Sequence, residues 1–406
     1  MNKNIYNKML TIIETFVGAG GAHLGFKQAG FKTLLVNDID KDTIDTLIKN
    51  NVINNNEYLL CPIEELTIEK IKTKIGDSKP DVLFGGIVCK GFSLAGVRNP
   101  FDERNYLYKH QLRLVELLKP KASIIENVIG IKNMILYQKC PETEKTFREY
   151  TLLSDKNKQL NGEKSSKRKN NQNYKDISSE ININKKLMEK MLQNIEKYKY
   201  SILDDIKKSY DSLGYKYYEK VLQADKYNSF TNRKRIIIVA VRNDITKEYK
   251  FPIESDSRYV LQDALNLIDY NGINNPNLDV DNKPMNHNQK TIERFKLIPE
   301  GNNISSIIED LPEELKISAF YSRGNTQRLS RNLPAPTLVP GHSNFPIHPY
   351  EHRSITVREA ATITGFPIDY KFVGNHTSRC IQIGNAVPVQ LAYNIALSIK
   401  DLLNND

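Results

Sequence analysis

Cys89 stands in GGIVCKGFS (residues 85–93), a glycine-flanked loop just past a short apolar run. A thiol at the edge of a parallel sheet lies where ligands collect, and near basic groups or a helix N-terminus it is partly thiolate, the nucleophilic form. Taken alone, such a cysteine is more often a loop residue without chemistry. Glu126, in SIIENVIG (residues 123–130), closes the next apolar run and so falls on the same edge. In TNRKRIIIVA (residues 231–240), Arg233 and Arg235 sit at the mouth of a further strand, with side chains on one face by the period-two rule. Together these residues supply a nucleophile, a proton donor and an electrostatic anchor, the parts of covalent catalysis.

A second set concerns a cofactor. FVGAGGAHLGF (residues 16–26) is a glycine-rich turn placed directly after a strand and before a helix, where the backbone can approach a ligand and helix N–H groups face it. About 20 residues on, Asp38 ends the second strand, where an acid accepts hydrogen bonds from ribose hydroxyls. By itself this pattern means either a nucleotide-like cofactor or only a tight strand-to-helix turn. Near the end, QIGNAVPVQLA (residues 382–392) joins a turn to a helix and is placed to close the cofactor pocket.

These residues need elements to position them. Apolar runs at 10–17, 32–36, 81–84 and 122–125 alternate with helical stretches, the first over 23–29 and stopped by Gly30. That alternation predicts an α/β fold, a parallel sheet with helices on both faces. Residues 215–222 and 235–241 read as neighbouring strands, and helices are expected near 186–210, 356–364 and 388–403. From 141 to 186 the sequence falls into Lys, Asn, Ser and Glu and reads as a mobile low-complexity insert. Its segment 156–175 holds seven Lys/Arg and one Glu. A solvated polar face is the ordinary reading of such a tract, and a DNA-contacting arm is the alternative. Residues 250–344 are irregular and rich in Asn, Pro and Gly, as in a smaller domain or a set of recognition loops.

Composition narrows the class. Of 406 residues 39% are hydrophobic and 26% charged, a globular balance. The apolar run at 236–241 is far short of the roughly 20 residues of a membrane helix, and no secretory signal opens the chain, so a cytoplasmic protein with no membrane partner is expected. Cys61, Cys89, Cys140 and Cys380 make no CxxC pair, which argues against a zinc ribbon, another metal site or a disulfide framework. The net charge of +10 invites a nucleic-acid partner, although more than half of it lies in 156–175.

In order and spacing these segments resemble the cytosine-C5 DNA methyltransferase family over about residues 10–135 and 212–400. The resemblance implies a Rossmann-like S-adenosylmethionine-dependent methyltransferase sheet plus a smaller, irregular target-recognition domain. The catalytic and cofactor-binding domain would span 1–245, target recognition 246–349, and residues 350–406 would complete the catalytic domain. Phe16, Gly18, Gly20, Asp38, Ile39 and Asn385 then match the S-adenosylmethionine site, with Asp38 on the ribose and Ile39 against the adenine. Cys89 matches the nucleophile at cytosine C6, Glu126 the acid on N3, and Arg235, supported by Arg233, the arginine facing O2.

Ser93, Lys90, Arg323 and Arg328 are expected on DNA, while Gln327, Arg331, Asn325 and Asn344 are further candidates for base edges. The implied reaction moves a methyl group from S-adenosylmethionine to C5 of a flipped-out cytosine in a specific double-stranded DNA sequence, through a covalent cysteine–C6 adduct. A monomer working in a restriction-modification system, with a cognate restriction endonuclease as functional partner, is the expected setting.

Four positions depart from the family pattern. Val88 and Lys90 replace the proline and glutamine around the nucleophile, Thr231 replaces a glutamine, and Pro62 lies where an acid often meets the adenine amino group. Among rival readings, the RNA-directed branch carries a Cys-Phe-Thr segment, whereas residues 243–350 contain no cysteine. Amino-methylating enzymes use a Pro-Pro-aromatic loop, and the chain has no Pro-Pro pair. A DNA binder without catalysis is motivated by Val88 and Lys90. A nicotinamide-dependent dehydrogenase would leave Cys89, Glu126 and the arginines without a role.

Overall fold

The computed structural model describes residues 9–87, 99–170, 172–317, 326–339 and 345–404. The chain forms two compact units, one of Met1–Ile87, Arg113–Asn127 and Leu213–Asp406, the other of Val88–Leu112 and Val128–Ser212. In chain order the elements run β1 (Thr11–Thr15), α1 (Gly21–Gln28), β2 (Lys32–Asp38), α2 (Lys41–Lys49), β3 (Tyr58–Leu60), α3 (Ile68–Ile75), β4 (Val82–Gly86), α4 (Tyr108–Leu118) and β5 (Ala122–Asn127). Then come β6 (Ile135–Tyr137), α5 (Pro141–Lys169), α6 (Lys175–Asn194), β7 (Lys199–Ser201), α7 (Ile202–Ser212), β8 (Tyr215–Gln223) and β9 (Lys234–Arg242). The last helices are α8 (Leu261–Leu265), α9 (Gln289–Leu297), α10 (Val357–Thr364), α11 (His376–Asn385) and α12 (Val389–Asn404).

The first unit is built on a seven-stranded sheet in the order β3-β2-β1-β4-β5-β9-β8. Strands β3 to β5 are parallel, while β9 runs antiparallel to both β5 and β8. Its central strands are apolar runs because both faces are covered: β4 and β5 are buried almost throughout, and β9 from Arg235 to Val241. The edge strand β8 instead exposes Lys216, Glu219 and Lys220, which protects an open ladder from pairing with another chain. On one face α1 and α12 bring Phe26, Leu391, Ile395 and Ile399 against Ile12, Phe84 and Val239. On the other, α2, α8, α10 and α11 bring Leu47, Leu261, Ile363 and Ile383 against Val36. Residues 329–338 share that second core, and Phe295, Ile298, Ile304, Leu311 and Ile347 gather in a smaller cluster. The expected strands and their parallel start are all present. Among the described residues no helix is long and apolar enough to cross a membrane.

In the second unit the insert expected to lack structure is a helical hairpin. Pro141 opens α5 at a position where its missing N–H costs nothing, Cys140 N donates to Thr143 Oγ1 at 3.1 Å, and Glu142 and Glu144 complement the first-turn dipole. Glu144–Arg148 and Lys145–Glu149 add i,i+4 pairs. The Lys and Glu that, with Asn and Ser, give the segment its low complexity are also good helix formers. The helix expected over 186–210 is interrupted: α6 ends at Asn194, and β7 pairs antiparallel with β6 before α7 begins.

Candidate active site

The parallel part of the sheet changes direction of growth between β1 and β4, the point where a doubly wound fold opens a crevice at the strand ends. Thr15 on β1 pairs with Gly85 on β4, and Gly86 pairs with Glu126 on β5. A Cβ built on Gly86 would lie 3.5 Å from the Phe16 carbonyl and 3.9 Å from Glu126 Oε2. The glycine-rich turn, the Glu126 carboxylate and the strand that leads toward Cys89 therefore converge on one residue. Glu126 Oε1 lies 2.8 Å from Arg235 Nε, with both side chains 9% exposed. That ion pair crosses from β5 to the mouth of β9. Arg235 also donates from Nη1 to its neighbour's carbonyl, Lys234 O, at 2.7 Å.

Arg233 has a different occupation. Its guanidinium donates to Gly384 O at 2.8 Å, Asn385 O at 3.3 Å and Leu338 O at 3.4 Å. It ties the start of β9 to the end of α11 and to the segment after Ala335, rather than standing beside Arg235 at the carboxylate. Asn385 enters the site through this carbonyl, with its side chain exposed.

The turn after β1 fits a nucleoside-bearing cofactor. Phe16, Gly18 and Gly20 all take left-handed backbone angles, with φ of 55°, 55° and 87°. A Cβ on Gly18 would meet nothing within 4 Å, so space opens above the turn there. Asp38 closes the turn by accepting from Gly18 N at 2.8 Å and Asp40 N at 3.0 Å. Burial pushes its carboxyl above the ordinary range, against the pull of those backbone N–H groups. Next to it Ile39 leaves 69% of its surface open, an apolar plate beside an acid. Pro62 follows β3, whose Leu60 pairs with Asp38.

Several supporting residues carried no signal of their own in the sequence. Tyr370 donates from its hydroxyl to Ala19 O at 2.8 Å and so pins the middle of the turn. Asn127 Nδ2 donates to Ile87 O at 3.3 Å, holding the end of β4 where the chain departs toward Cys89. Its position directly after Glu126 was the one available hint. Beneath the turn, buried Glu14 contacts His23 Nδ1 at 2.9 Å, and His23 Nε2 contacts Thr33 Oγ1 at 2.8 Å. The turn at the end of α11 is Ala386 to Pro388, and a Cβ on Gly21 would lie 2.3 Å from Val387 O.

Cys89, Lys90, Ser93 and Arg323, together with Val88, Asn325 and Asn344, lie outside the described residues. Arg328, expected on DNA, is 3% exposed and donates to Ile298 O, His348 O and Glu351 O at 2.7–2.8 Å and to Phe295 O. Its donors satisfy backbone carbonyls of its own unit, so it is not presented to a ligand. Arg331 makes a bidentate pair with Glu300, at 2.9 and 3.1 Å, and lies over the Tyr350 ring.

Comparison with known proteins gives the following. The family model described as C-5 cytosine-specific DNA methylase matches residues 10–151 and 186–401. The type II methyltransferases M.Eco47II of Escherichia coli and M.Sau96I of Staphylococcus aureus are each 29% identical over 411 residues, covering 98% of this chain and 81% and 77% of theirs. A solved structure described as a DNA modification methyltransferase encoded within an E. coli prophage aligns with a TM-score of 0.61 at 22% identity, covering 97% of this chain and 99% of that one. At that identity the likeness speaks for the fold, the α/β methyltransferase sheet.

Proposed function

Since the chain belongs to the C-5 cytosine-specific DNA methylase family, a DNA cytosine methyltransferase with S-adenosylmethionine as its cofactor, we propose that it methylates C5 of a cytosine flipped out of a specific double-stranded DNA sequence. The convergence of the Phe16 turn, Glu126 and Gly86 on one point carries this reading. In this reading the turn is the cradle for the methyl donor, Glu126 is the acid, and β4 leads from the same point toward the thiol.

Cytosine C5 is a poor nucleophile until the ring is activated, and in this proposal the chain's own residues activate it. The Cys89 thiolate forms a bond to C6, and Glu126 hydrogen-bonds N3 so that charge developing on the ring is met as it forms. Arg235 holds the Glu126 carboxyl in place through the 2.8 Å ion pair and faces O2. S-adenosylmethionine, when bound, supplies an electrophilic methyl group for C5. Loss of the C5 proton to water then re-forms the C5–C6 double bond, and the C6–S bonding pair leaves on sulfur as the Cys89 thiolate. Asp38 would hold the ribose of the cofactor, Ile39 would cover its adenine, and the turn at Phe16, Gly18 and Gly20 would form its floor. None of this is possible inside the base stack, so extrusion of the base at a cost of a few kcal/mol belongs to the same reading. Lys90 and Ser93 contact DNA in this reading. Target recognition falls to residues 246–349 and Arg323, with 1–245 and 350–406 as the catalytic part. A monomer and a cognate restriction endonuclease complete the proposal, and the names of the type II relatives support the restriction-modification setting.

The test is expression in a host lacking cytosine methylation, followed by bisulfite sequencing, with Cys89→Ala alongside. Protected cytosines at one short consensus in the parent and none in the variant are expected. Full conversion with folded parent protein overturns the reading, and equal protection in Cys89→Ala overturns the nucleophile.

A further inference from the structure

The hairpin of α5 and α6 is the feature that the methyltransferase reading does not use. The family match stops at residue 151 and resumes at 186, so most of the hairpin lies outside the segments that the family model matches. It is nonetheless a built element. Leu160 packs against Ile177 and Ile181, Asn184 Nδ2 donates to Asn157 Oδ1 at 2.9 Å inside the pair, and Lys156 meets Glu180 at 2.6 Å. These antiparallel contacts fix the register of the two helices, since a buried amide pair tolerates no slip. At about 1.5 Å per residue, the 29 residues of α5 reach roughly 40 Å.

Charge is graded along that length. Near its base the hairpin pairs its cations: Lys145 with Glu149, Arg148 with Glu144, Lys156 with Glu180. Beyond Leu160, α5 has no apolar residue at all. Lys158, Lys167, Arg168 and Lys175 are exposed and, among the described residues, have no carboxylate in an ion pair. Elsewhere on the protein exposed lysines are often matched with a carboxylate close by in the chain, as in Lys296–Glu293 and Lys316–Glu313. Clustered unpaired cations repel one another and cost the folded state stability, a cost that an external polyanion would remove. Exposed Ser166 and Gln172 between them add hydrogen-bond donors that suit phosphate oxygens.

We infer that the hairpin tip is a sequence-independent clamp on the phosphate backbone of double-stranded DNA, an inference that rests on the DNA methyltransferase reading. Three flexible lysine point charges and one arginine, all exposed, suit phosphate contacts, which position a duplex without reading its bases. The clamp adds affinity equally to site-bearing and site-free DNA.

The experiment measures DNA affinity of the full chain against salt concentration, on one duplex bearing the target site and one lacking it. The variants are Lys158→Gln/Lys167→Gln/Arg168→Gln/Lys175→Gln and, separately, Glu163→Lys. Each lost phosphate contact lowers the slope of log affinity against log salt by about 0.9. The quadruple variant should therefore lose about 3 to 4 units of slope on both duplexes, and Glu163→Lys should steepen it by up to about 1. Slopes unchanged in both variants overturn the clamp and leave a solvated face. A change confined to the site-bearing duplex overturns its sequence independence, and a change seen with a structured RNA but not with DNA assigns the tip to RNA. Circular dichroism of each variant confirms that the exposed substitutions leave the helices intact. Parent protein that methylates DNA while the slopes do not move refutes the clamp alone, whereas parent protein that transfers no methyl group to DNA refutes the function on which it rests.

Discussion

Glu126 and Arg235 hold each other across two strands with almost no water around them, so neither can be changed without cost to the other. Glu126→Gln keeps the shape and removes the ionisable carboxyl. Single-turnover methyl transfer should slow by roughly 10²–10⁴-fold, the range over which a positioned acid contributes, and a rate within a few-fold of the parent would argue against its part in ring activation. Arg328 gives the opposite expectation. Replacing it with Ala removes the side-chain donor from the carbonyls of Ile298, His348 and Glu351, so thermal unfolding should show a loss of about 3 kcal/mol or more. The consensus methylated by the folded fraction should stay the same, and a changed consensus would restore Arg328 as a base reader. Asp38 brings a pH dependence. Its carboxyl titrates above 3.8 because of burial, so cofactor affinity that needs the ionised form should fall on acidification earlier than for an ordinary aspartate. Calorimetric titration with S-adenosylmethionine across acidic pH, with Asp38→Asn as the pH-insensitive control, checks this.

At the scale of elements, the turn between β1 and α1 separates strain from space. Gly18→Ala meets an empty surrounding but a φ of 55°, so it should cost the fold only about 1 kcal/mol while placing a methyl group where the cofactor would lie. Gly21→Ala would drive a Cβ to 2.3 Å from Val387 O, and Gly20→Ala one to 2.4 Å from Leu47 Cδ2. The first clash is with backbone and should unfold the protein more readily than the second, where a side chain can move. Melting temperatures should therefore fall in the order Gly18→Ala, Gly20→Ala, Gly21→Ala, while Gly18→Ala alone loses cofactor affinity without losing its fold. The strands and helices around this turn were legible because apolar runs and a glycine stop are local signals. The hairpin of α5 and α6 was not. Its composition suggests disorder, and its stability comes from the Asn157–Asn184 bond and the packing of Leu160 on Ile177, contacts between residues nearly 30 apart at their widest.

At the scale of the first unit, a buried ionic cluster joins segments far apart in the chain. Arg358, fully buried, donates to Asp279 at 2.8 Å, Asp281 receives Arg379 at 2.8 Å, and Lys371 reaches Asp279 at 3.3 Å. Burial would raise the Asp279 carboxyl, yet the hydrogen bond and charge of Arg358 outweigh it and hold the group below its usual 3.8. A depressed acid contributes stability that is full above the unfolded value and is lost as pH falls through the folded one. The parent should therefore lose stability below about pH 3.8 as Asp279 is protonated, and Asp279→Asn should flatten that part of the acid-unfolding curve. Arg358→Met should lower stability at neutral pH by about 3 kcal/mol, since it leaves two buried carboxylates short of a partner.

Sequence alone determined the α/β sheet and the family and gave the residue types proposed for the chemistry, because each is written in short segments: an apolar run, a glycine turn, a thiol or a carboxyl at a strand end. It also placed Glu126 and the Phe16 turn on one edge, since parallel strands joined by helices all end on the same side. Tertiary structure decided which side chains meet. Arg235 faces Glu126 because β9 pairs antiparallel with β5, whereas Arg233, two residues earlier, is drawn to the carbonyls of Leu338, Gly384 and Asn385. Arg328 reads like a base-contacting arginine in the sequence and is a buried staple in the fold. A guanidinium goes wherever its donors find acceptors, and those acceptors are set by chain packing over distances of 20 to 150 residues that no local pattern records.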